Sequence, residues 1–147
     1  MFGRRLFCAI VVGLWVCLGT FHAQSAEEFP EYFRDHLERI ESAYSAGREV
    51  ARDAEEERDC LLLRNGALSF LVEMTYESLL AWMADREDLL ESVELDQGEW
   101  LAEMESLPPR DKATIAELEE TSRILLERLQ RLGVLTSKPF CPERDAC

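Results

Sequence analysis

Between Glu31 and Leu107 the chain has no proline and only three glycines. So long a stretch without turn-making residues argues against a β-rich fold. Histidine is almost missing too, with His22 and His36 the only two. A carboxylate-bridged metal site in a helical bundle needs Glu-x-x-His on two helices, and Phe33 stands three residues before His36. Neither His-Glu-x-x-His nor Cys-x-x-Cys-His occurs, which removes the zinc-protease and c-type haem readings. His36 with Met104 is the one axial pair left for a b-type haem, and a single histidine beside a helix seam is far more often surface or core. Gly-x-Ser-x-Gly and phosphate-cradling glycine loops are absent as well. The run Glu55-Glu56-Glu57 with Asp59 lacks the alternating ligands and glycine of a calcium loop and reads as a solvated face. No catalytic residue, cofactor or metal ligand is assigned, and the chain is not expected to be an enzyme.

Acids are missing in one more place, ahead of Ala26. The chain opens with Arg4 and Arg5, continues through an uncharged stretch from Leu6 to Phe21, and reaches the small residues Ala23, Ser25 and Ala26. Charge, apolar run and small-residue site, in that order, describe a secretory signal over residues 1–25, with cleavage after Ser25 and, as the near rival, after Ala26. An uncleaved anchor is the alternative. A spanning helix wants roughly 20 apolar residues, and this stretch is at the short end, with Gly13 and Gly19 inside it. The implied compartment is periplasmic or secreted.

What is abundant is acid. All 30 acids follow the signal with 14 of the 16 bases, so the 122 residues after Ser25 carry a net charge of −16. Such a surface repels nucleic acid and anionic membrane and favours a basic partner. Leu, Glu, Ala and Arg dominate, pointing to long helices.

A 4-3 spacing runs through Phe33, Leu37, Ile40, Tyr44, Gly47, Ala51, Ala54, Arg58 and Leu61, the seam of a coiled coil. It predicts a first helix that ends at Asn65-Gly66, where both residues tolerate a left-handed cap. A second helix is expected from about Ala67 to Leu95, with a seam of Leu68, Val72, Thr75, Leu79, Trp82, Arg86, Leu89 and Val93. Its first half is apolar over a wider arc, through Phe70, Leu71, Met74, Tyr76, Leu80 and Met83, so it must be covered on more than one side. Asp96 and Glu99 have capping-box spacing, which predicts a break and then a short helix from Trp100 to Leu107, stopped by Pro108-Pro109. The last helix covers about Asp111 to Leu132, with Ile115, Leu118, Ser122, Leu125, Leu129 and Leu132 on one face and Gly133 as its cap. The expected fold is all-α, an antiparallel up-down-up bundle of three long helices: a coiled-coil-like hairpin, a third helix, and a short extra helix at the base. The bundle domain is taken as residues 26–135 and an irregular tail as 136–147.

Three cysteines remain after export: Cys60, Cys141 and Cys147. In an oxidising compartment a disulfide is expected, and the odd count leaves one thiol over. If the last helix climbs toward Cys60, a Cys60–Cys141 bond would staple the tail to the hairpin, contributing about 4 kcal/mol on the chain-entropy model. Cys141–Cys147 is the competing pair, and Cys147 could also join two chains.

The functional expectation is a non-catalytic, protein-binding, scaffolding or chaperone-like factor of the cell envelope. A small-ligand or haem-binding bundle and an acidic inhibitor of a basic enzyme are the alternatives. If the second helix carries a partner groove, Phe70, Met74, Tyr76 and Met83 are its candidates, against the plainer reading that they form the core. The partner is a protein, no nucleic acid and no membrane is expected once the signal is removed, and self-association remains open.

Overall fold

The computed structural model describes residues 29–133. They form four α-helices and no strand: α1 (Phe29–Val50), α2 (Ala54–Trp82), α3 (Glu87–Glu105) and α4 (Ile115–Arg131). The segment read as an export signal, and the tail with Cys141 and Cys147, lie outside these residues. No described helix is long and apolar enough to cross a membrane.

The fold is all-helical as expected, but the helix boundaries move. The first helix ends at Val50 instead of Asn65, because Asp53 caps a new helix. Its backbone is extended and its carboxylate accepts from the Glu56 N–H at 2.9 Å. The Glu56 carboxylate in turn accepts from the Arg52 N–H at 2.8 Å. Asn65 and Gly66, expected to stop a helix, sit inside α2. Asn65 is 3% exposed and spends its side chain on α4: its amide donates to the Leu118 carbonyl at 2.8 Å, and its oxygen accepts from the Ser122 hydroxyl. With those partners secured, its liking for caps no longer decides the local conformation.

The second boundary also shifts. α2 stops at Trp82, and the chain turns through Met83–Arg86 instead of breaking at Asp96–Glu99. No side chain caps the start of α3. What stops α2 is tertiary, since Met83 is buried in the same core as Leu79 and Val93. Trp82, placed on a seam by the longer helix expected, is consequently 48% exposed. Asp96 is no cap but lies mid-helix in α3, 4% exposed. The capping box stands instead at Thr114 and Glu117, opening α4. At the other end of α4, Gly133 adopts φ 83°, the left-handed conformation expected after a helix C-terminus.

Paired residues give the helix directions. Glu41 meets Arg64 at 2.7 Å and Arg48 meets Glu57 at 3.3 Å, so α1 runs antiparallel to α2. Arg58 donates to the Ala113 carbonyl at 2.9 Å and Asn65 to that of Leu118, so α4 rises alongside α2. The expectation set the last helix antiparallel to a second helix over Ala67–Leu95, whose first part belongs to α2. The cause of the difference is α3, a full helix of 19 residues, which carries the chain back before α4 begins.

α2 is the central element, and each of the other three helices packs on it. The core joins Phe33, Leu37 and Ile40 of α1 to Leu68, Leu71, Val72 and Leu79 of α2, Val93 and Trp100 of α3, and Leu125 and Leu129 of α4. Each fully buried side chain of this size contributes roughly 1.5–3 kcal/mol. A smaller cluster of Leu61, Ala113 and Leu118 closes the end where α4 starts. The wide apolar arc of the expected second helix is thus covered from several sides within the chain.

Candidate functional site

The most concentrated chemistry lies where α2, α3 and α4 converge. Tyr76 comes from α2, Asp96 and Glu103 from α3, Arg128 from α4, and Arg131 from its last turn. The Tyr76 hydroxyl donates to one Asp96 oxygen at 2.5 Å. The other oxygen faces Arg128 at 3.2 Å and pairs with Arg131. Arg128 also donates to Glu103 at 3.0 Å. Trp100 stacks on the Tyr76 ring with centroids 5.6 Å apart.

Tyr76 is wholly buried, Asp96 is 4% exposed and Arg128 is 8% exposed. Burial, then the hydrogen bond to Asp96, pushes the Tyr76 hydroxyl far above its ordinary value, so it stays protonated and donates. Burial pulls Arg128 down, yet the surrounding phenol and carboxylates hold its guanidinium above its ordinary value. Two acids balance two bases here, and every charged partner is engaged. Chemically this is a closed tie that fixes α3 against α2 and α4.

A second set of polar contacts pins the loop leading into α4. The Arg58 guanidinium donates to the carbonyls of Arg110, Asp111 and Ala113 at 3.1, 2.9 and 2.9 Å. Between this pinned loop and the ionic tie opens a cleft of about 270 Å³. Trp100, Leu101, Met104 and Leu107 supply its apolar wall, while Glu73 and Glu105 bring two acids and Arg110 one base. Trp100 is 1% exposed and its indole N–H is buried without an acceptor, whereas Leu101 is 50% exposed. A much smaller pocket lies between α1 and α2, bordered by Gly47, Cys60 and Arg64, and at about 20 Å³ it has room for roughly one water.

Of the four residues offered as a groove on the second helix, Tyr76 and Met83 are core and Met74 packs partly buried against it. Phe70 is 42% exposed. The structure does not bring these four together on one surface. Cys60 is half-buried on α2; Cys141 and Cys147 lie outside the described residues. The topological argument for a Cys60–Cys141 bond does not hold, because α4 begins beside Cys60 instead of ending there, as Arg58 on Ala113 shows.

The cleft itself was missed in the sequence. Trp100 and Met104 are four residues apart on one helical face, a signal that was on view. The α2 residues that line the cleft with them, Asn65 and Glu73, stand on a separate helix, and no local pattern joins the two. Among the described residues no three His, Cys, Asp or Glu side chains converge as a metal site would require. Compared with protein-family models, curated proteins and solved structures, the chain matches none.

Proposed function

We propose that the chain is an exported, non-catalytic helical protein of the cell envelope that works by holding another protein, in a scaffolding or chaperone-like role. In this reading residues 1–25 are removed on export. Residues 29–131 form an up-down-up-down bundle, its two-helix hairpin of α1 and α2 extended by α3 and α4. The observation that supports it most directly is the cleft, an apolar recess rimmed by charge beside an exposed Leu101. The closed ionic tie next to it supports the same reading, because it holds the wall of that recess in place.

The test compares tagged mature chain, exported in its native host, with the variant Leu101→Asp. Leu101 is half exposed, so this change should leave stability within about 0.5 kcal/mol. One protein retained by the original chain and lost from the variant is the expected result. Equal retention by both would overturn the cleft as the binding surface, and an exported chain that retains no protein would overturn the reading as a whole.

A further inference from the structure

We infer that the cleft between α2 and the C-terminal half of α3 receives a short basic segment of a partner protein, an aliphatic side chain entering it between flanking Lys or Arg residues. This deepens the protein-binding reading above and rests on it.

The apolar part of the recess comes from Trp100, Leu101, Met104 and Leu107. It is far larger than one water needs, and it is open to solvent beside Leu101, so its natural occupant is a side chain carried in from outside. Charge selects which kind. Glu73 on α2 and Glu105 on α3 both line the cleft, against Arg110 as the one base there. Glu77 lies exposed one turn beyond Glu73 on the same helix. The whole chain carries −14, so the field around the recess adds to this local excess of acid. An acidic segment would meet repulsion from both sides of the opening, while a basic one is steered toward it. Arg58, bonded to three carbonyls of the loop before α4, keeps the far edge of the recess in place. The recess is therefore formed before a partner arrives.

The experiment follows the mature chain by NMR while three blocked peptides are added: acetyl-Lys-Leu-Lys-Leu-Lys-amide, its Glu-for-Lys counterpart, and its Gly-for-Leu counterpart. The first is expected to shift the Trp100 indole N–H and the Met104 methyl signals in a saturable way, with little response to the other two. Because Glu73 and Glu105 are exposed, the double variant Glu73→Gln with Glu105→Gln should weaken that binding about three- to tenfold and remain folded. An equal response to the acidic peptide, or unchanged affinity in the double variant, would overturn the role of charge and with it the inference. Saturable shifts that map away from Trp100 would overturn the cleft yet leave a protein-binding surface elsewhere. Silence toward all three peptides would overturn the inference, while the capture comparison still judges the broader reading on its own.

Discussion

The Tyr76 hydroxyl donates to the Asp96 carboxylate across the α2–α3 interface, and Arg128 approaches the other oxygen of that carboxylate from α4 at 3.2 Å. One buried carboxylate thus joins three helices. A buried ion pair is a weak source of net stability compared with packed apolar groups, yet removing one partner leaves the other charge uncompensated.

Asp96→Ala is therefore expected to cost about 3–5 kcal/mol, because buried Arg128 keeps only the more exposed Glu103 carboxylate and the buried Tyr76 hydroxyl loses its acceptor. Tyr76→Phe should cost less, about 1.5–3 kcal/mol, the range for a hydrogen bond to a charged group. Urea denaturation of both variants checks the order. Tyr76→Phe costing as much as Asp96→Ala would contradict the account.

The helix boundaries give an opposite-signed test. Gly66 and Gly98 lie inside α2 and α3, and a Cβ added at either meets nothing within 4 Å. Each Gly→Ala change should raise stability by about 0.4–1 kcal/mol. Were Gly66 the left-handed cap that its Asn-Gly pair suggests, alanine there would destabilise instead. Gly133, at φ 83°, is the position where alanine should cost about 1–2 kcal/mol. Thermal unfolding of the three single variants separates these cases.

Much of the fold was legible because buried seams are periodic. Phe33, Leu37 and Ile40 on α1, and Leu118, Leu125 and Leu129 on α4, fell on the faces that their spacing assigned. The breaks were harder because a cap signal is short and tertiary partners override it. Asn65 satisfies its amide on Leu118 and Ser122, so a strong stop signal became a helix-to-helix tie. Asp96 has the spacing of a cap, but Tyr76 and Arg128 meet its carboxylate in the middle of α3. Those contacts span 20 and 32 residues of chain, and no local pattern encodes them. The cleft was hidden for the same reason, since its walls belong to segments joined only by the fold.

The start of α4 should respond to acid in a defined direction. Glu117 accepts first from the Thr114 backbone N–H and then from its hydroxyl, and these bonds hold its carboxyl below the usual 4.5. A depressed folded value means the stabilising contribution is present above about pH 4.5 and is lost as pH falls through the lower folded value. Carboxyl-carbon NMR should find Glu117 titrating below an ordinary glutamate. In Thr114→Ala, where only the backbone bond survives, its titration should move partway back up. That variant should also lose about 1 kcal/mol of stability, as should Asp53→Ala at the start of α2.

Export is checked by mass. The protein recovered from the envelope or medium should begin at Ala26, and a chain retaining Met1 in the membrane would contradict the signal assignment.

Site-specific photocross-linking in the exported chain shows whether this helical protein holds a partner at the α2–α3 cleft. A photoreactive phenylalanine analogue would replace Leu101, at 50% exposure beside the cleft, or Val50, at 67% exposure at the end of α1. One discrete protein adduct is expected from position 101 and none from position 50. Adducts of equal yield from both positions, or none from position 101 while the chain is exported and folded, would contradict it.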